Sequence, residues 1–249
     1  MRRLLPDPTD RLDDAALTAQ YALPATAGRP HLRLNFVCSV DGAITVEGVS
    51  RGLQTPGDNR VYHELRTLAD VILVGAGTAR TEGYGPVHVD PEQRARRRTL
   101  GLSQVPPIAV VTASLDLDPD APLFTAATTP TVVITCAGAP ADRRAALTEV
   151  ADVIIAGESA VDLPQALTAL AERGLTRILC EGGPHLFGSL LAAGCVDELC
   201  VTVSPLLTGP GPGRMVAGPP IGTPAGLRLA HILEEDDALF CRYVAVSNR

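Results

Sequence analysis

From Val71 onward the chain alternates between short, unbroken apolar runs and longer stretches with helical spacing. The runs VILVGAG (71–77), PPIAVVTASL (106–115), PTVVITCAG (130–138), ADVIIAGES (151–159) and TRILCE (176–181) read as strands. A run of four or five apolar residues without alternation is what a parallel strand buried on both faces requires. Upstream, HLRLNFVCSV (His31 to Val40) predicts a strand with mixed alternation. SVDGAITVEG adds a turn at Asp41–Gly42 and a short second strand.

Helices are predicted between these runs. TPGDNRVYHELRTLAD (55–70) places Val61, Tyr62, Leu65 and Leu68 at helical spacing behind Asp58 as N-cap. Further helices are predicted over Ala141–Val150, Asp162–Arg173 (with Gly174 behind it) and Pro184–Ala193. DELCVTVSPLL is another strand, and LRLAHILEEDDALFCRYVAV is two strands around an acidic turn, an antiparallel hairpin at a sheet edge. Residues 1–30, rich in Pro and Asp, form an arm with a short helix over Asp13–Tyr21. TGPGPGRMVAGPP (Thr208 to Pro220) is a surface loop. ADVILVGAG and ADVIIAGES echo one another as helix-to-strand units, an echo that strand–helix geometry accounts for without duplication. The alternation predicts an α/β fold with a mostly parallel sheet and a C-terminal antiparallel hairpin, as one domain over 1–249.

Composition narrows the function. The 249 residues are 46% hydrophobic, with 3% aromatics and no Trp, so the core is built from Ala, Val, Leu and Ile. A net charge of −7 argues against a nucleic-acid binder. The dense basic run, RARRR (Arg94 to Arg98), is expected in a solvated loop. The six Cys residues form no CxxC pair, and four lie inside apolar runs, so neither a metal site nor a disulfide framework is expected. The N-terminus lacks the apolar core of a secretory signal, and no run reaches the roughly 18 residues of a membrane span. A cytoplasmic protein is expected.

Ligands of open parallel sheets bind beyond the carboxyl ends of the strands. Standing there are Ser39 and Asp41; Gly75, Gly77 and Thr78; Thr112 and Ser114; Gly157, Glu158 and Ser159; and Glu181, Gly182 and Gly183. Glycine backbones and short hydroxyls of this kind can cradle phosphates. In EGGPHL (181–186), Gly182 and Gly183 carry no Cβ, Pro184 suits a first helical turn, and the helix dipole then faces an anion, with His185 and Leu186 in that turn. The same letters also suit a plain strand-to-helix turn. Hydroxyls rather than an acid after VVTASL tolerate a 2′-phosphate, which favours NADP over NAD. Glu181 ends an apolar strand, where an ionised carboxylate is costly unless paired. Arg66 is a candidate holder of a substrate anion, and Asn35 is a ligand or an edge polar residue.

The segments RPHLRLNFVCSVDGAIT, SRGLQTPGDNRVYHELRTLADVILVGAGTARTE, PPIAVVTASLDL and RILCEGGPHLFGSLLAAGCVDELCVTVSPLLTG together resemble the reductase domain of riboflavin biosynthesis. That family has a dihydrofolate reductase-like three-layer sandwich. The resemblance implies NADPH as hydride donor and a homodimer. It implies reduction of 5-amino-6-(5-phosphoribosylamino)uracil to its ribitylamino form at the sugar C1′. It places Thr78, Glu82 and the loop Gly183–Ser189 on NADPH, with Val37, Gly52 and Ser114. It places Ser50, Arg66 and Glu181 on the substrate. Glu181 or Asp41 would assist proton transfer.

The chain departs from the family pattern in two places. Asn35 stands where bifunctional members often carry Lys. TEGYGPVHVD (81–90) replaces the family's DDPxLTxR, whose Arg binds the substrate phosphate. Two alternatives therefore stay open: a reductase of the same fold acting on a pterin or dihydrofolate-like ring, and an NADP-binding protein without turnover.

Overall fold

In the computed structural model, residues 1–23, 28–211 and 213–246 are described. Residues 24–27 of the expected arm, Pro212 of the expected Thr208–Pro220 loop and residues 247–249 lie outside them. The strands are β1 (Arg2–Leu5), β2 (His31–Ser39), β3 (Val71–Gly75), β4 (Ile108–Val111), β5 (Val132–Thr135), β6 (Asp152–Ile155), β7 (Arg177–Cys180), β8 (Glu198–Ser204), β9 (Leu227–Glu235) and β10 (Ala238–Ala245). The helices are α1 (Asp14–Tyr21), α2 (Pro56–Leu68), α3 (Ala76–Thr81), α4 (Pro91–Thr99), α5 (Pro122–Thr125), α6 (Ala141–Thr148), α7 (Leu163–Glu172) and α8 (Pro184–Ala192), with a 3-10 turn at Ser50–Leu53.

All ten strands join one sheet, in the order β1-β9-β10-β8-β2-β7-β3-β4-β5-β6. From β8 to β6 every neighbour is parallel. The pairs β8–β10, β10–β9 and β9–β1 are antiparallel. Side chains alternate across the sheet as strand geometry demands. Val71 and Leu73 of β3 pack with Leu167, Leu170, Phe187 and Leu190 of α7 and α8. Ile72 and Val74 face the opposite layer, with Ala79, Phe124 and Leu147. Leu17 and Tyr21 of α1 and Val61, Leu65 and Leu68 of α2 cover β7 to β10 on that second side. The result is three layers, with the mostly parallel sheet and C-terminal hairpin expected from the sequence.

Four expectations are corrected. The second strand after Asp41–Gly42 does not form; residues 43–49 are a loop closed by one bridge between Val46 and Val49. The C-terminal hairpin is not the sheet edge, because β1 pairs antiparallel with β9 and covers it. β1 escapes a periodicity reading because it is four residues long and half arginine. Asp58 is not the N-cap of α2. Thr55 is, its hydroxyl accepting the Asp58 N–H at 3.1 Å, with Pro56 at the first helical position.

The RARRR run, finally, is helical. Asp90 opens α4 with a reciprocal capping box to Gln93. Arg96 donates to Glu64 at 2.6 Å. Arg97 is fully buried, and its guanidinium donates to the carbonyls of Arg66, Thr67, Ala69 and Ser103. The last carbonyls of α2 have no partners within their own helix, and a planar five-donor fork satisfies several at once. Burial lowers the Arg97 pKa to about 10.

Candidate active site

A cavity of about 390 Å³ opens beyond the carboxyl ends of β2, β3 and β7. Parallel strands that reach this end together leave a crevice there, closed by whatever the following turns supply. Two groups of residues form its walls.

The first group is glycine-rich. β3 ends at Gly75, β7 runs into Gly182–Gly183, and the Gly75 N–H donates to the Gly182 carbonyl at 2.8 Å. This bond brings the two turns side by side. Gly182 has φ +100°, a conformation in which side-chain-bearing residues are strained. Gly183 is forced by packing, since a Cβ on it would lie 2.2 Å from the Thr78 hydroxyl. Gly77 has open space where a Cβ would stand. Gly183 is the N-cap of α8 and no side chain caps it, so the positive end of that helix faces the crevice. Gly75, Gly77, Thr78, Gly183, Pro184, His185 and Leu186 all line the cavity. Gly182 does not, but it carries the turn that positions them. The Glu82 carboxylate also lines the wall, and accepts the Ser50 N–H at 2.8 Å.

The second group is built around Glu181, the residue after β7. Its side chain is 4% exposed. Such a carboxylate needs partners, and it has three hydrogen bonds. Arg66 Nε donates to Oε1 and Arg66 Nη2 to Oε2, each at 2.7 Å, and the Tyr84 hydroxyl donates to Oε2 at 2.7 Å. The Arg66 guanidinium lies over the Tyr62 ring, 4.3 Å from its centroid. Burial opposes the Arg66 charge, but the Glu181 carboxylate more than offsets it and holds the guanidinium protonated. Burial, then the Glu181 charge, raise the Tyr62 and Tyr84 hydroxyls well above their ordinary range. Both phenols stay neutral and can donate.

Asp58 joins this wall from α2. It is 5% exposed and lines the cavity. Its Oδ1 accepts the Thr202 hydroxyl at 2.6 Å. Burial raises its pKa, and the Thr202 bond opposes that only in part. Asp58, Tyr62 and Arg66 stand at i, i+4 and i+8, one face of α2, and that spacing is the signal that could have identified the first two. Tyr84 gave no comparable signal; it lies in the segment that follows α3.

Of the other expected residues, Asn35, Val37 and Ser50 line the cavity. Arg66 does not reach the cavity surface; two of its donor groups are engaged by Glu181. Asp41 also lies elsewhere. It is exposed, bonds the Ser39 hydroxyl, and accepts the N–H groups of Thr208 and Gly209, tying the β2 and β8 turns together. The Ser39 bond first, then the Gly209 N–H, lower its pKa to about 2. Gly52 packs on Val46 beside a shallow groove that shares Thr45 and Gly48 with the cavity. Ser114 is exposed and away from the lining, where its hydroxyl accepts the Asp116 N–H and its carbonyl accepts from Arg143.

The RibD C-terminal domain family model matches residues 30–239. The 2,5-diamino-6-ribosylamino-4(3H)-pyrimidinone 5′-phosphate reductase of Methanothermobacter thermautotrophicus is 33% identical over 181 residues, covering 73% of this chain and 80% of that one. The enzyme of the same name from Archaeoglobus fulgidus is 29% identical over 182 residues, covering 73% and 83%. Among solved structures, a pyrimidine reductase-like protein from Corynebacterium diphtheriae superposes with a TM-score of 0.81 at 31% identity, covering 93% of this chain and 99% of that one.

Proposed function

The chain belongs to the RibD C-terminal domain family, and we propose that it reduces 5-amino-6-(5-phosphoribosylamino)uracil to the ribitylamino form with NADPH as hydride donor. The observation that carries this reading is one crevice that joins an uncapped helix N-terminus and its glycine turn to a wall of buried carboxylate and neutral phenols.

The residues present fit a dinucleotide. Gly77 leaves room for close approach to the backbone, and the α8 terminus offers its positive end to a diphosphate. Thr78, Pro184, His185 and Leu186 complete that wall. When bound, NADPH supplies a hydride. Reduction of the open-chain imine adds that hydride at C1′ and a proton at the adjacent nitrogen, and the C=N double bond becomes single. The protein holds the reacting atoms in place, excludes water and manages the proton.

Glu181 is a poor proton donor, because Arg66 holds both its oxygens and Tyr84 one of them. It serves as an anchor, orienting Tyr84 directly and holding Arg66 over the Tyr62 ring. Asp58 is the better proton-holding group: its carboxyl is buried, faces the cavity and has a raised pKa. Asn35 and Ser50 complete the polar edge of the substrate wall. The family reading also carries a homodimer, which sedimentation of the purified chain tests. Oxidation of NADPH on addition of the ribosylaminouracil phosphate tests the activity itself.

A further inference from the structure

Among the described residues that line the cavity, none comes from β8. Two buried hydroxyls of that strand nevertheless hold the corner of chain that opens α2. Thr202 and Ser204 stand two positions apart, so they share one face of β8, and they are 2% and 0% exposed. Thr202 Oγ1 donates to Asp58 Oδ1 at 2.6 Å, and the Ser204 hydroxyl donates to the Leu53 carbonyl. Gln54 and Asp58, just beyond Leu53, both line the cavity.

The Thr202 bond is not the one that the position of Asp58 favours. Asp58 is the third residue of α2, behind Thr55 as N-cap. A Glu at that position ordinarily reaches back to the N-cap backbone N–H. The shorter Asp58 side chain reaches across to β8 instead, while its own N–H stays on Thr55 Oγ1. Close packing brings the helix start within this reach. A Cβ at Gly57 would lie 2.6 Å from Glu235 Oε2 and 2.7 Å from the Phe240 ring, so α2 begins hard against the hairpin. Among the described residues, none hydrogen-bonds Asp58 Oδ2.

We infer that Thr202 is a positioning residue of the reductase site: its hydroxyl fixes Asp58 Oδ1 against β8 and presents Oδ2 to the substrate. The inference rests on the reading of Asp58 as the proton-holding group given above. The hydroxyl donates to the ionised carboxylate, so its removal makes Asp58 keep its proton to higher pH. The surrounding titratable groups do not replace it. Tyr62, one turn on, and Cys200 on β8 are kept neutral, first of all by burial. Glu235, against the start of α2, is paired with Arg60. Glu82 and Glu181, also on the cavity wall, hold the Ser50 N–H and Arg66.

The test follows kcat/KM against pH for the full-length chain with NADPH and the ribosylaminouracil phosphate. In parallel, the Asp58 carboxyl carbon is titrated by NMR. Thr202→Val keeps the branched shape without the hydroxyl, and Thr202→Ser keeps the hydroxyl. Thr202→Val should move both the Asp58 titration and the fall in kcat/KM up by about one pH unit, and should lower kcat about tenfold. Thr202→Ala should move both in the same direction, and Thr202→Ser should return both to the wild-type range. Ser204→Ala, which frees only a backbone carbonyl, should lower stability and move neither. An Asp58 titration unmoved in Thr202→Val overturns the inference. So does a Thr202→Ser variant that shifts as far, since shape and not the hydroxyl would then be at work. A titration that moves without the rate profile takes Asp58 out of the proton step and overturns it too. If NADPH is not oxidised at all, the reductase reading fails, and the carboxyl titration still decides whether Thr202 holds Asp58.

Discussion

Arg66 and Glu181 meet through two parallel hydrogen bonds, Nε to Oε1 and Nη2 to Oε2, both 2.7 Å long. The two residues lie 115 positions apart, on α2 and at the end of β7, so this pair ties the helix to the turn that carries the glycines. Breaking a buried pair from one side strands the other charge. Glu181→Gln should therefore destabilise the chain by about 3 kcal/mol, seen as a lower urea midpoint with an unchanged slope. Its turnover should fall further than its cofactor affinity. Unchanged stability would show that Arg66 finds another partner.

Gly183 and Thr78 form a second coupled pair, on packing rather than charge. A Cβ at 183 would meet the Thr78 hydroxyl at 2.2 Å, and with that oxygen gone the nearest Thr78 side-chain atom is Cβ at 3.5 Å. Gly183→Ala should weaken NADPH binding, and Thr78→Ala added to it should restore part of the loss. A coupling energy of about 1 kcal/mol is expected from a double-mutant cycle. Additive effects would mean that the glycine is needed for the cofactor alone.

Asp58 gives a pH signature. Its carboxyl titrates higher in the folded chain than the 3.8 of an ordinary aspartate. The folded state thus binds the proton more tightly. The stabilisation is fully present below pH 3.8 and is lost as pH rises through the folded value. Asp58→Asn, which keeps an acceptor for Thr202, should be at least as stable at neutral pH and should lose most turnover. As the proton-holding group, Asp58 should also make kcat/KM fall as pH rises through that folded value. A variant with full activity would remove Asp58 from the chemistry.

Far from the cavity, His231 is buried and its pKa is lowered to about 4 by burial and then by Arg242 and Arg33. Its contribution to stability is present above its ordinary 6.5 and is lost as pH falls toward 4. Glu198, bonded to Arg33 and Arg242, is also lowered, and its contribution is lost at still lower pH. His231→Gln should flatten the stability profile between pH 6.5 and 4, measured by chemical denaturation at stepped pH. An unchanged slope there would place the acid sensitivity in other groups.

The parallel strands were legible in the sequence because burial on both faces leaves no polar position to interrupt them. VILV, IAVV, VVIT and RILC are strands where the apolar runs placed them. β1 was hidden by its length and its two arginines. α4 was hidden by a basic run that reads as solvated surface, although Arg97 turns inward to satisfy α2. Half of the site was legible for a related reason. A glycine turn behind a buried strand announces close approach, and Glu181 at the end of an apolar run announces a partner. Tyr62 counted as an apolar position at helical spacing, Asp58 as a cap, and Tyr84 only as a letter of TEGYGPVHVD. Tyr84 bonds Glu181 across 97 positions and Asp58 bonds Thr202 across 144, contacts that periodicity does not encode.

The most direct measurement follows NADPH absorbance as 5-amino-6-(5-phosphoribosylamino)uracil is added to the purified chain, with the product identified by mass. The account predicts stoichiometric oxidation of NADPH and a product two hydrogens heavier, carrying an open ribityl chain. NADPH that binds but is not oxidised by this compound, yet is oxidised by dihydrofolate, would contradict it.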